Sequence, residues 1–320
     1  MRVLVTGANG FVGQGLCMAL TQKDYVARGA VRSDSHAIAT KVPCVAVGDI
    51  TEQTDWSVAL MDVDVVIHLA ARVHVMKDIV ADPLAEFLKV NLFGTSNLAQ
   101  QASRAGVKRL VYVSSVKVNG EQTPETQSFA ESDEPDPQDP YAISKWRAEQ
   151  KLQRIAQETG LEVVIVRPPL VYGPGVKGNF ARLLAAIERG RPLPLAGANN
   201  LRSLLYVGNL VDALIACATQ PAAAGQTYLV SDGEDISTAS LVEKIATALG
   251  RHNRSFYFPP ALLRAGATLL GRAEQVDRLF GALRISDKKI RSDLNWSSPY
   301  TLEQGLSETA EWYRAQRNPS

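Results

Sequence analysis

Cysteine is scarce. The chain of 320 residues has three, Cys17, Cys44 and Cys217, far apart and odd in number. No C-x-x-C pair and no His/Cys cluster occurs, so neither a disulfide framework nor a zinc site is expected. A reducing cytoplasm is the expected setting. An excess of charge of one sign is also missing: 34 Lys/Arg stand against 33 Asp/Glu, a formal net charge of +1. Such a balance supplies no global field for nucleic acid or an acidic membrane. Long apolar runs are absent as well. "MRVLVTGANG" breaks into glycines too early for a signal peptide. "PPALLRAGATLLGRAEQ" is interrupted by Arg264 and Arg272, so a buried helix is expected there rather than a membrane span.

What is present is a regular alternation. Apolar runs at 2–6, 26–32, 44–48, 63–71, 109–115 and 161–168 read as strands. Their continuous Val/Ile/Leu character suits parallel strands covered on both faces. Helical patterns near 11–22, 83–105 and 140–158 lie between them. This order predicts an α/β fold with a doubly wound parallel sheet over residues 1–170. From residue 171 proline and glycine become frequent, and 171–320 reads as a smaller C-terminal α/β lobe. Its strand–helix piece near 201–219 is expected to return to the large sheet. Residues 120–140 are acidic, proline-rich and aperiodic, and so long a loop is expected to form an active-site rim.

"VTGANGFVG" places Gly7, Gly10 and Gly13 after a strand and at a helix start, with Phe11 and Val12 in the first turn. These glycines permit a tight turn, close backbone approach to a pyrophosphate, and close helix–sheet packing. The helix N-terminus favours the anion. A Rossmann dinucleotide site is therefore expected. Arg32 ends the second strand, where a basic residue suits a 2′-phosphate, so NADP is expected over NAD. Asp49 and Ile50 in "GDIT" are candidate adenine contacts. Leu69, Ala70 and Ala71 in "HLAA" are small enough to let a cofactor pass.

"DPYAISKWRAE" opens a helix in which Tyr141 and Lys145 share a face. A nearby ammonium lowers the tyrosine's pKa from its ordinary value of about 10, so that it exchanges a proton nearer neutrality. The strand "RLVYVSS" ends in Ser114 and Ser115 with no histidine or acid beside them. Ser115 is thus a poor nucleophile and a good hydrogen-bonding group at the carboxyl edge of the sheet.

Taken in order, "VTGANGFVG", "HLAA", "SSVKVNG", "YAISK" and "RPPLVYGPG" resemble the extended short-chain dehydrogenases/reductases, in their nucleotide-sugar epimerase/dehydratase/reductase branch. The resemblance implies that Tyr141 is the acid/base, that Lys145 holds the nicotinamide ribose, and that Ser115 bonds the reacting sugar oxygen. It implies cofactor-side places for Asn91, Ser114 and Pro168, the last following Arg167. Asn179, Arg202 and Arg278 become candidate substrate contacts, with His74 a further candidate. A homodimer paired through the helices near 83–105 and 140–158 is expected from the same resemblance. Two departures matter. Asn119 stands where the family has a tyrosine, so no role transfers to it. Val116 and Lys117 stand where 4,6-dehydratases carry Asp-Glu, which argues against dehydration.

The "AARVHVMK" and "SSVKVNGE" pieces resemble bacterial polysaccharide-locus 4-reductases of UDP-4-keto-6-deoxy-N-acetylhexosamines. The first expectation is therefore an NAD(P)-dependent UDP-sugar 4-ketoreductase of surface polysaccharide (O-antigen) synthesis. The second is a UDP-sugar C4 epimerase that retains NAD. The third is a non-catalytic dinucleotide sensor, disfavoured by the intact Ser115/Tyr141/Lys145 set.

Overall fold

The computed structural model describes residues 1–33, 42–73, 82–269 and 279–316. In chain order it forms β1 (Arg2–Thr6), α1 (Phe11–Gln22), β2 (Val26–Val31), β3 (Cys44–Ala46), α2 (Ser57–Leu60) and β4 (Val65–His68). α3 (Pro83–Leu88) leads through a π-helical turn (Lys89–Gly94) into α4 (Thr95–Arg104). β5 (Arg109–Val113), α5 (Pro140–Thr159) and β6 (Glu162–Arg167) follow. Then come β7 (Leu170–Tyr172), α6 (Gly178–Glu188), β8 (Leu201–Tyr206), α7 (Val207–Thr219), β9 (Thr227–Leu229), β10 (Asp235–Ser237), α8 (Thr238–Ala248) and α9 (Pro260–Leu269). Helices Lys288–Leu294 and Leu302–Ala315 close the chain.

Seven strands form one sheet in the order β3-β2-β1-β4-β5-β6-β9, every neighbouring pair parallel. The doubly wound fold read from the sequence is present. All four residues of β4 are buried, as a strand covered on both faces requires. Sequence order reverses between β1 and β4, and ligands of such sheets bind outside the strand ends at this switch. One apolar layer, with Leu16, Leu20 and Leu214, covers one face; another, with Leu98, Leu152 and Ile155, covers the other.

Two expectations are corrected. The piece 201–219 does not return to the large sheet as a unit. β8 joins a separate three-stranded sheet, β10-β8-β7, while α7 packs its apolar side into the layer over the large sheet. Leu201–Tyr206 pairs with β7 and β10 instead, and the seventh place in the large sheet is taken by β9, only three residues long. The helical pattern near 83–105 is present and contains the π-helical turn, which adds a residue to the turn and brings Asn91 inside, 1% exposed. α9 was expected to be buried, yet Ala261, Leu262 and Ala265 on it are exposed. Apolar composition did not locate a cover for it.

Gly13 sits in α1 directly over the turn after β1. A Cβ there would stand 2.2 Å from the Gly7 carbonyl oxygen and 2.8 Å from the Ala8 Cα. Backbone cannot give way as a flexible side chain would. Gly13→Ala is expected to cost about 1–3 kcal/mol, read as a lower urea midpoint; an unchanged midpoint would show that this contact relaxes freely.

Candidate active site

The site is assembled where β1, β4, β5 and β6 end. Gly7 turns the chain at φ +66°, a conformation that favours glycine, and a Cβ there would approach the Ala70 nitrogen to 3.0 Å. α1 begins at Gly10 with no side-chain cap and no acidic residue in its first turn. Its first N–H groups are thus left for an anion. Gly7, Gly10, Phe11, Val12 and Gly13 form this turn, and Leu69, Ala70 and Ala71 follow β4 beside it. Phe11 approaches the glycine turn after β7: a Cβ on Gly175 would lie 3.2 Å from its ring. These residues fit a dinucleotide with its pyrophosphate on α1.

At the far end of the crevice Arg32 Nε and Asp49 Oδ1 are 2.9 Å apart, both side chains mostly exposed. The residue read as a 2′-phosphate contact and the residue read as an adenine contact meet each other. Ile50 packs on Gly94, where a Cβ would come within 2.5 Å of it.

His68 ends β4 fully buried, hydrogen-bonded to Thr6 through Nδ1 (2.6 Å) and to Thr95 through Nε2 (2.9 Å). Burial, then the Lys145 charge, pushes it down to about 3, so it is a neutral structural link. Asn91 is committed within the protein. Its Oδ1 accepts from Arg72 N (2.9 Å), and its Nδ2 donates to Arg72 O (3.0 Å) and Ser144 Oγ (2.9 Å). It ties the segment after β4 to α5.

α5 carries Tyr141 and Lys145. Asp139 caps it, accepting from Ala142 N at 2.7 Å, with Pro140 in the first turn. Lys145 is buried; its Nζ donates to Val113 O at 2.8 Å and lies 4.6 Å from the Tyr112 ring and 5.9 Å from the Tyr141 ring. Desolvation pushes Lys145 down to about 7, with Glu149 opposing. The Ser115 hydroxyl beside Tyr141 lowers its pKa, but burial first and Asp139 second push it well above the usual range. The expected lowering of Tyr141 is therefore not achieved by the chain's own groups. A protonated phenol beside Ser115 is a proton donor.

Ser114 Oγ donates to Glu149. Glu149 also receives Arg167, from Nε at 3.0 Å and from Nη2 at 2.5 Å, and Arg167 Nη1 donates to Asn119 Oδ1 at 3.0 Å. Glu149 and Asn119 escaped the sequence reading. Glu149 was detectable, since it follows Lys145 by four residues on the same helix face. Pro168 O accepts from Val116 N at 3.0 Å, joining the ends of β5 and β6.

On the substrate side, Arg202 in β8 donates to Gly281 O at 2.8 Å and Asn179 stands exposed at the start of α6. Nothing brings these two into contact with Tyr141. His74 and Arg278 lie outside the described residues. The loop 120–139 joins the turn after β5 to α5. It is pinned by Phe129 N to Arg284 O (2.8 Å) and by Leu229 N to Glu131 Oε1 (2.8 Å). Among the described residues no cluster of three metal-ligating side chains occurs, and no helix is long and apolar enough to cross a membrane.

Residues 3–231 match the model of the NAD dependent epimerase/dehydratase family. The chain belongs to this family. A UDP-glucose 4-epimerase of Vibrio cholerae is 42% identical over 319 residues, covering 99% of this chain and 96% of that one. An N-acetyl-alpha-D-glucosaminyl-diphospho-ditrans,octacis-undecaprenol 4-epimerase of Escherichia coli O157:H7 is 28% identical, covering 97% and 94%. Among solved structures, MoeE5 in complex with UDP-glucose and NAD is similar, with TM-score 0.79, 25% identity, and 99% and 100% of the two chains covered. As a member of this family the protein is an NAD-dependent enzyme.

The buried ammonium has a consequence for stability. From about pH 7 to 10.5 the unfolded chain holds a proton on Lys145 that the native chain lacks. Its contribution to stability therefore rises with pH across that window, and its burial penalty is full below it. Lys145→Met is expected to flatten the rise of unfolding free energy from roughly pH 7 to 10 in denaturant titrations. Equal slopes in both proteins would mean that Lys145 is not desolvated.

Proposed function

We propose that the enzyme oxidises and re-reduces C4 of a UDP-hexose, as a UDP-sugar 4-epimerase. The observation that carries this reading is the Ser115–Tyr141–Lys145 arrangement at the carboxyl edge of the sheet, beside the Gly7–Gly13 turn. The 42% identical Vibrio cholerae relative favours epimerase over the reductase that the short motifs suggested first. The bound dinucleotide supplies a hydride acceptor and donor.

The chain's own residues do the rest. Ser115 holds the sugar O4 by a hydrogen bond next to Tyr141. Tyr141 would take the O4 proton while C4 is oxidised and return it to O4 when C4 is reduced from the other face. Lys145 would hold the nicotinamide ribose and favour the tyrosinate when charged. Burial and the Asp139 carboxylate oppose that effect and hold the phenol protonated. Arg202 supplies a guanidinium for a diphosphate oxygen, with Asn179 at the start of α6 a second polar contact. Val116 is an aliphatic side chain and Lys117 is a cation bound to carboxylates, so neither acts as the acids of a 4,6-dehydratase do.

A second reading, a UDP-4-keto-sugar 4-reductase, draws on Arg32 and on the protonated Tyr141. Reduction consumes an exchangeable cofactor, and a basic residue at the end of β2 suits NADPH. The ion pair with Asp49 weakens that support. Under either reading we place the enzyme in the cytoplasm as a homodimer, on the family resemblance.

The deciding experiment offers UDP-glucose, UDP-N-acetylglucosamine and a UDP-4-keto-6-deoxy sugar with each cofactor. C4 epimers without net change in NAD(P)H support the epimerase. Matched oxidation of NAD(P)H supports the reductase, and neither with dinucleotide bound supports a sensor. Tyr141→Phe should lower kcat about 10²–10⁴-fold while cofactor still binds; near wild-type turnover removes Tyr141 from the mechanism. If Arg32 reads the 2′ position, Arg32→Asp moves the NADPH/NADH preference towards NADH. An unchanged ratio assigns Arg32 to its Asp49 pair alone.

A further inference from the structure

Lys117 has no part in the chemistry above, yet it connects Ser115 to α5. It lies in the 3-10 turn Val116–Val118 that directly follows Ser115, and its backbone N–H donates to Ser115 Oγ at 3.2 Å. Its ammonium crosses to α5 and binds Asp139 Oδ2, and also lies 2.9 Å from Glu121 Oε1. Asp139 spends its other oxygen on the helix cap at Ala142 N. The side chains of Lys117, Glu121 and Asp139 are 29%, 24% and 12% exposed. This is not a surface pair dissolved in solvent.

We propose that Lys117 is a positioning residue for Tyr141: its ion pair with Asp139 clips the Ser115 turn to the first turn of α5 and offsets the carboxylate charge two residues before Tyr141. The proposal rests on reading Tyr141 as the proton carrier. The groups around Tyr141 leave Lys117 this task. On its own helix stand Asp139 and Lys145, with Glu149 one turn further on. From β5 comes Tyr112, buried and neutral, its hydroxyl pushed up by burial. From α3 comes Phe87, edge-on at 6.0 Å, with the Arg72 guanidinium 5.6 Å from the far ring. The turn contributes Ser115, Lys117 and, beyond it, Glu121. The Asp139 carboxylate raises Tyr141, and Lys117 is the cation in contact with that carboxylate.

The test uses the full-length enzyme with NAD bound. Tyrosinate absorbance is titrated for each variant, and the same variant carrying Tyr141→Phe is subtracted. The kcat–pH profile is recorded alongside. Lys117→Met should move the Tyr141 titration upward by about one pH unit or less, and Lys117→Arg should restore it. In an Asp139→Asn background, where the cap is kept and the charge removed, Lys117→Met should no longer shift anything. An unmoved titration in Lys117→Met overturns the proposal. So does an equal shift in the Asp139→Asn background. If Lys117→Met does not fold, Lys117→Gln removes the charge while keeping a donor, and reads the same shift. Loss of the proposed UDP-sugar reaction would leave the absorbance titration readable, so the two ideas fail separately.

Discussion

The buried ion pair between Glu149 and Arg167 is the constraint on which the site depends. Their side chains are 0% and 5% exposed. Taking two charges out of water costs several kcal/mol per ion, and the pair persists because every oxygen and nitrogen has a partner. Ser114 and Asn119 complete it, and the Trp146 ring lies against the guanidinium. Through these four contacts the end of β5, the turn after it, α5 and the end of β6 are held in one register. Removing either charge would strand the other in the interior, at about 3–5 kcal/mol. The position of Ser115 relative to Tyr141 is a consequence of this network.

A second polar chain supports the cofactor side. Thr6, His68 and Thr95 link β1, β4 and α4, and Thr6 Oγ1 also accepts from Ala70 N at 3.1 Å. That last bond holds the segment after β4 close to Gly7. The crevice is therefore bounded by backbone that approaches closely, and only small residues fit there. Asn91, brought inward by the π-helical turn, fixes the continuation of the same segment onto α5. The two networks meet at α5, whose first turn carries Tyr141 and whose second carries Lys145.

Much of this was readable from the residues. The large sheet follows from uninterrupted Val/Ile/Leu runs, and the glycine turn and the Tyr141/Lys145 spacing follow from local rules of turns and helices. What escaped depends on tertiary contact. β9 is too short to announce itself, and β8 looks like any buried strand, so its sheet could not be assigned. Glu149 and Arg167 read separately as an ordinary helix acid and a strand-end base; only their 2.5 Å contact makes them a pair. Ser114 ends a strand, and only the fold shows that its hydroxyl donates to Glu149. Arg32 was read without Asp49, which lies across β2 and β3 from it. Asn119 was set aside as a departure from a motif, and it proved to be the far end of the buried network.

The central claim is that hydride leaves and returns at C4 while Tyr141 carries the O4 proton. It is tested most directly with UDP-glucose deuterated at C4. The account predicts a C4-inverted product that keeps its deuterium, because the same bound dinucleotide accepts and returns it. A product whose C4 hydrogen comes from solvent, or no C4 inversion by enzyme that has NAD bound, would contradict it.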